Sequence, residues 1–374
     1  MTNIQVKLQR KQNTPYTIFI DRDFSKGIIR FLKTKFPKSA CVIITDNKVR
    51  KLYGEKLLRL LRKNGKKVFL FSVPPGERSK SQKCKTIIEE KMLRLRLDRQ
   101  TVVIALGGGV PGDLAGFIAA TYMRGIPYLQ VPTTLLAIVD SSIGGKTGID
   151  TQQGKNLIGA FWQPEAVFIG LQCLDTLPQE QFKNGLVEAV KMFATSDAPS
   201  FHYVEKNINA LLGRNRKVVT TVVKNAIKIK ARIAARDERE SGERMILNFG
   251  HTVGHALEKT SKYKILHGYA VALGILVEAG VSQSIGKLRE PDSLRLRKIL
   301  IDKIGISLKP LRTYKTREIM KSVGSDKKVL NGKPHYVLLR RIGEVYMQKN
   351  KFAHPIKDTI VADVLEKLKL TGKI

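Results

Sequence analysis

Three of the six histidines, His251, His255 and His267, fall within seventeen residues. The first two lie in Asn248-Phe249-Gly250-His251-Thr252-Val253-Gly254-His255. Their i, i+4 spacing puts both imidazoles on one face of a helix, an arrangement that can grip a divalent metal. His267 precedes Gly268 at the start of another helical pattern. Glu188 sits in the apolar run Gly185 to Lys191, where a carboxylate is costly to bury unless it is paired or ligates a metal. Two imidazoles and one carboxylate leave zinc an open position for substrate. One such histidine would read as an ordinary surface or satisfied residue; the set with Glu188 points to a metal.

A second feature suits an anionic cofactor. Val102 to Leu106 runs into Gly107-Gly108-Gly109-Val110-Pro111-Gly112-Asp113 and then an apolar helix. Strand, glycine turn and helix together form a phosphate cradle, because backbone N–H groups can approach the anion and the helix dipole favours it. A tight turn that packs helix on sheet explains the same residues. Thr133 and Thr134 follow the next strand and could add hydroxyls. Asp46, just past the strand Cys41 to Thr45, is placed to accept from a ribose hydroxyl or to cap a turn.

Several cations lie beside glycines or on apolar faces. Arg124 precedes Gly125, Lys146 follows Gly144-Gly145, and Lys155-Asn156 follows Gly154. Lys191 is three residues after Glu188, on the same helix face. Lys230 and Arg244 flank the acidic run Asp237 to Glu243. Any one of these could be a snorkelling surface chain. Together they suit a substrate carrying both a phosphate and a carboxylate.

The 374 residues carry 67 Lys+Arg against 32 Asp+Glu, a net charge of +35. The basic residues are spread along the chain, not gathered in a tail or stripe, so the charge does not point to nucleic acid. Between Thr101 and Ala160 three basic residues balance three acidic ones, which marks a stretch whose charges have assigned roles. A hydrophobic share of 43% fits a chain with a substantial core. No run is long and apolar enough for a spanning helix, and the residues after Lys7, Arg10 and Lys11 do not read as a secretory signal. Cys41, Cys84 and Cys173 are odd in number and widely spaced, which fits a reduced cytoplasm.

Strand and helix signals alternate up to about Pro178, with β-rich runs at Thr17–Ile20, Cys41–Thr45, Val68–Val73, Val102–Leu106, Tyr128–Val131 and Val167–Ile169. This predicts an α/β layer with a mostly parallel sheet. Beyond it, 3.6-period apolar spacing dominates at Gln179–Phe193, Lys217–Arg236, Ala270–Ser284 and Ser293–Ile304, with a last amphipathic helix at Asp358–Leu368. The expected organisation is an α/β nucleotide-binding domain over 1–178 and an all-α metal- and substrate-binding domain over 179–374.

At this level the chain resembles the 3-dehydroquinate synthase family of sugar-phosphate cyclases. The blocks that carry the resemblance are GGGVPGDLAGFIAATYMRG, VPTTLLAIVDSSIGGKTGID, GKNLIGAFWQP, NFGHTVGHALE and LHGYAV, in that order. It implies NAD+ held by Asp46, Glu77, Lys80, Gly108, Gly109, Asp113, Thr133, Thr134, Lys155 and Thr176. It implies Zn2+ or Co2+ on Glu188, His251 and His267, with His255 left for substrate. Lys230 and Arg244 would hold the substrate carboxylate. Lys146, Asn156, Lys191, Asn248 and His255 would surround the phosphate and reacting carbons, Asp140 would contact ring hydroxyls, and Lys328 would close over the phosphate. Arg124 would reach the neighbouring subunit's site, which implies a homodimer. The implied substrate is 3-deoxy-D-arabino-heptulosonate 7-phosphate. The implied reaction is transient oxidation by NAD+, phosphate β-elimination, re-reduction and intramolecular aldol closure to 3-dehydroquinate.

Two positions depart from the family's usual pattern. Tyr269 stands where Glu commonly follows the His-Gly of the third metal motif, which would remove a carboxylate near the metal ligands. Pro111 removes one backbone donor from the glycine turn. Other readings make different predictions. A related cyclase making 2-deoxy-scyllo-inosose or a valiolone would turn over a different sugar phosphate. A metal-dependent polyol dehydrogenase would accumulate NADH. A nucleic-acid-binding protein would bind with steep salt dependence and ignore chelators.

Overall fold

The computed structural model describes residues 15–324 and 333–373. Lys328 therefore lies outside the described residues. The first half alternates β1 (Thr17–Asp21), α1 (Ser25–Lys35), β2 (Cys41–Asp46), α2 (Asn47–Val49), α3 (Glu55–Lys63), β3 (Val68–Val73), α4 (Gln82–Arg94), β4 (Val102–Gly107), α5 (Gly109–Thr121), β5 (Tyr128–Pro132), β6 (Lys146–Ile149), β7 (Ile158–Phe161) and β8 (Ala166–Gly170). Six strands form one sheet in the order β1-β8-β5-β4-β2-β3, and every pairing in it is parallel.

β2, β4, β5 and β8 are buried along nearly their whole length and mostly apolar, because helices cover both faces of the sheet. Ile28 and Leu32 of α1 and Leu57 and Leu61 of α3 pack with Ile43 and Ile104 on one face. Ile88 and Met92 of α4 and Leu114 and Ile118 of α5 pack with Ile44 and Val103 on the other. From β2 the chain moves outward to β3, then returns to place β4 on the opposite side of β2. Such a reversal opens a crevice at the carboxyl ends of the two strands. Asp46 and the glycine turn stand at those ends.

The pair β6–β7 is an antiparallel hairpin beyond the main sheet, in register from Lys146↔Phe161 to Ile149↔Ile158. It lies against α5 at Gly116, where a Cβ would come within 2.5 Å of Thr147 Cγ2. The sequence reading did not anticipate this hairpin.

The second half contains α6 (Gln179–Ser196), α7 (Ala198–Leu212), α8 (Arg216–Arg236), α9 (His251–Thr260), α10 (His267–Ser284), α11 (Glu290–Arg297), α12 (Lys309–Thr313), α13 (Thr316–Gly324) and α14 (Asp358–Thr371). α10 is apolar almost all round and sits inside the helical layer, as that pattern requires. It begins at His267, three residues before the expected start. The expected helix over Ser293–Ile304 is α11 followed by a wider π-helical turn, Lys298–Lys303. The half is mainly helical but not all-α. β9 (His335–Tyr336) pairs with β12 (His354–Pro355), and β10 (Leu339–Arg341) with β11 (Glu344–Val345). Strands of two or three residues carry no periodicity to detect. The two halves share one core, in which Ile138, Val139 and Val167 join Val187, Val190 and Leu273.

Candidate active site

Glu188 is fully buried on α6. Its Oε1 lies 3.8 Å from Nε2 of His251 and 3.5 Å from Nε2 of His267. One ligand atom from each of the three residues falls within 4.8 Å of the others. Three close approaches build this cluster. Asn184, one turn before Glu188, accepts from Gly268 N at 2.7 Å and fixes the start of α10. A Cβ on Gly268 would meet Asn184 O at 2.0 Å, so only glycine lets the helices approach this closely. Gly250, with φ +77°, opens α9 and donates its N–H to Glu278 Oε2 at 2.8 Å.

His251 Nδ1 faces Phe249 O at 3.2 Å, which leaves Nε2 turned to Glu188. His267 Nδ1 faces Glu258 Oε2 at 3.1 Å. Neither oxygen of Glu188 accepts a well-aligned hydrogen bond from a described residue, although Lys191 Nζ stands 2.5 Å from Oε2. Burial raises the Glu188 pKa, but Lys191 and His267 outweigh it and hold the carboxyl below the usual range. Burial would lower His267, yet its two carboxylate neighbours push it up to about 10. A buried carboxylate with unsatisfied oxygens between two outward-turned imidazole nitrogens is a donor set that fits a divalent cation.

The cofactor side begins at the glycine turn. Gly108 precedes the first turn of α5, and a Cβ there would lie 3.1 Å from Thr134 Cγ2. Pro111 falls in the first turn of α5, where no intrahelical donor is needed; its ring occupies the space beside Gly107. Thr133 donates its N–H to Gly107 O, and Thr134 Oγ1 accepts from Ala137 N. Asp46 caps the turn after β2, with Oδ1 accepting from Lys48 N and Val49 N. Thr176 is exposed and bonds the hydroxyl of Tyr53, which follows shortly after Asp46. Lys80 is buried, 2.5 Å from Asp113 Oδ2, and bonds Asn156 Oδ1 as well. Asn156 itself has φ +56°.

A chain of contacts joins the two sides. A Cβ on Gly109 would lie 3.4 Å from Ser141 Oγ. The adjacent Asp140 pairs with Lys230 at 2.5 Å. Arg244 is fully buried and donates to the carbonyls of Gly144 and Glu238. Lys146 Nζ bonds one oxygen of Glu240, and Asn248 Nδ2 donates to the other at 2.6 Å. Lys155 lies 3.7 Å from Glu77 and 3.2 Å from Glu258. Glu188 with Lys191 and Asp140 with Lys230 thus form charged pairs on the helical side, and Lys80 with Asp113 forms one beside the glycine turn. Arg124 stands apart, exposed with φ +66° and without an ion pair among the described residues.

Residues 70–184 match the family described as 3-dehydroquinate synthase N-terminal, and residues 185–329 the family described as 3-dehydroquinate synthase C-terminal. A 3-dehydroquinate synthase of Desulforamulus reducens is 40% identical over 366 residues, covering 98% of this chain and 99% of the relative. The chain belongs to the 3-dehydroquinate synthase family. A second family member, from Nitrosomonas europaea, is 40% identical over 334 residues, covering 89% and 90% of the two chains. Among solved structures, a 2-deoxy-scyllo-inosose synthase complexed with carbaglucose-6-phosphate, NAD+ and Co2+ superposes with a TM-score of 0.85 at 25% identity, over 94% of this chain and 96% of that one. Glycerol dehydrogenase from Schizosaccharomyces pombe shares the fold at 15% identity and a TM-score of 0.65, over 97% and 91% of the two chains.

Within this family member, sequence reasoning missed Asn184, Glu240, Glu258 and Glu278. Glu258 carried a signal, since it is three and seven residues after His255 and His251 on one helix face. Glu240 carried none, because it sits in an acidic run that reads as solvated. Tyr269 is partly exposed with Glu180 as its acidic neighbour, and the carboxylate beside His267 comes from Glu258.

Proposed function

We propose that this chain is a 3-dehydroquinate synthase, which converts 3-deoxy-D-arabino-heptulosonate 7-phosphate to 3-dehydroquinate and phosphate. The observation that carries the reading is Glu188, fully buried with the Nε2 atoms of His251 and His267 at 3.8 Å and 3.5 Å from its Oε1. Identity near 40% to dehydroquinate synthases, against 25% to the inosose synthase, supports this substrate over those of the related cyclases.

When bound, Zn2+ or Co2+ supplies Lewis-acid polarisation of substrate hydroxyls, and NAD+ supplies a reversible hydride acceptor. Glu188, His251 and His267 hold the metal. Gly108 and Gly109 present backbone donors and a helix N-terminus to the cofactor pyrophosphate. Asp46, Glu77, Lys80, Asp113, Thr133, Thr134, Lys155 and Thr176 complete its surroundings.

Lys230 and Arg244 receive the substrate carboxylate. Arg244 is preset for this, because two backbone carbonyls hold its guanidinium in place. Asp140 stays ionised beside Lys230 and accepts from ring hydroxyls. Lys146, Asn156, Lys191, Asn248 and His255 orient the phosphate and stabilise the charge that grows on it as it leaves. The departing phosphate takes the proton lost beside the transient ketone, so the protein mainly orients, polarises and excludes water. The resemblance assigns Lys328, outside the described residues, to the phosphate as well.

The working unit is a homodimer. Leu157, Ile158 and Phe161 are exposed on the edge hairpin β6–β7, and Trp162 packs on Gly125 beside Arg124. An apolar edge next to an unpaired cation fits a symmetric interface that delivers Arg124 to the partner's phosphate. No helix among the described residues is long and apolar enough to cross a membrane. The three cysteines are free thiols, which supports a cytoplasmic location.

The test is to incubate purified protein with the heptulosonate phosphate, NAD+ and Zn2+ and assay free phosphate. Phosphate release without net NADH is expected, with glucose 6-phosphate and sedoheptulose 7-phosphate inert. Steady NADH accumulation would instead identify a polyol dehydrogenase.

A further inference from the structure

Glu258 lies on the face of α9 that carries His251 and His255, and it is almost completely buried, at 3% exposure. Its two oxygens serve different partners. Oε2 is 3.1 Å from Nδ1 of His267. Oε1 is 3.2 Å from Nζ of Lys155, a residue of the β6–β7 loop that also approaches Glu77 and stacks 4.5 Å over the Tyr263 ring. Glu258 therefore joins a metal-facing imidazole to a cofactor-facing lysine.

A carboxylate can only accept. Nδ1 of His267 therefore carries a proton, which leaves Nε2, 3.5 Å from Oε1 of Glu188, as the nitrogen a metal would take in exchange for its proton. We infer that Glu258 is a positioning residue, which fixes the tautomer and ring plane of His267 while Lys155 fixes Glu258 from the other half of the chain. The inference rests on the metal site proposed above. Orienting carboxylates of this type raise the basicity of a ligating imidazole, and their loss typically weakens metal binding about 10- to 100-fold. Glu258 thereby does what Tyr269 cannot do from its place near Glu180.

The test is a Co2+ titration of the metal-free full-length protein, followed by visible absorption and by competition with a chromogenic chelator. It compares the parent, Glu258→Gln and Glu258→Ala. Gln keeps the volume and an acceptor but loses the charge. The expected result is Co2+ affinity lowered about tenfold or more in Glu258→Gln, further in Glu258→Ala, with a displaced Co2+ absorption band. Metal-free Glu258→Gln should melt close to the parent, which a merely structural role would not predict. Both variants binding within about threefold of the parent, with an unchanged spectrum, would overturn the inference. Should Glu258→Ala fail to fold, Glu258→Gln decides alone. A parent that binds no Co2+ overturns the metal site and this inference with it; a parent that binds while its variants bind equally overturns only the inference.

Discussion

Nζ of Lys230 lies 2.5 Å from Oδ1 of Asp140, tying the middle of α8 to the turn after β5. Burial opposes the Asp140 charge, but Lys230, Lys191 and Lys146 hold the carboxyl well below the usual carboxylate range. A depressed carboxylate stabilises the fold above its unfolded pKa and loses that contribution as pH falls through the folded value. Asp140→Asn should cost about 3–5 kcal/mol at neutral pH, because Lys230 stays buried without its partner. The gap between parent and variant should narrow as pH drops below about 3.8, as read by urea denaturation across the acid range.

Removing the metal tests the centre directly. Dialysis against a strong chelator should abolish phosphate release, and Zn2+ or Co2+ should restore it. Glu188→Ala should lose about three orders of magnitude in kcat/KM, equivalent to several kcal/mol of polarisation, and added metal should not rescue it. Full chelator resistance of the parent would contradict the site.

Glu240 holds Lys146 and Asn248 with its two oxygens. Glu240→Ala removes one hold on each of the two side chains that the proposed mechanism sets against the phosphate. Misplacement on the ångström scale costs about 100-fold in rate, so kcat should fall by that order. Circular dichroism should remain unchanged, because Glu240 lies on a loop.

Gly268 tests the scaffold. A Cβ there would sit 2.0 Å from the Asn184 carbonyl oxygen, so Gly268→Ala must push α10 away from α6. The expected cost is about 1–3 kcal/mol of stability together with weaker Co2+ binding, measured by melting and titration.

Subunit exchange tests Arg124. Arg124→Ala and Glu188→Ala homodimers should each be inactive. Mixed after mild dissociation, they form hybrids in which one site has both an intact triad and the partner's arginine. Recovered activity supports delivery of Arg124 between subunits, and no recovery despite proven hybrids would refute it.

The glycine turn and its flanking strand and helix were legible because β4 is an unbroken apolar run and Gly107 to Gly109 interrupt it sharply. The i, i+4 spacing of His251 and His255 and the carboxylate of Glu188 in an apolar helix were legible from local pattern, whereas the set Glu188, His251 and His267 came with the resemblance. The hairpin β6–β7 was not, since Lys146-Thr147-Gly148-Ile149 is short, glycine-bearing and stabilised by packing on α5. Glu240 was hidden because a carboxylate in an acidic loop looks the same whether solvated or engaged. The reach of Glu258 to Lys155 was hidden because it spans 103 residues, beyond any local pattern.

Gly250 and Gly274 bring the backbones of α9 and α10 into direct apposition, with the place of a Gly274 Cβ 1.9 Å from Gly250 O. No side chain intervenes there that substitution could trim or enlarge. Any side chain at position 274 would part the two helices, so the spacing that seats His251 at the start of α9 depends on a bare backbone at this crossing.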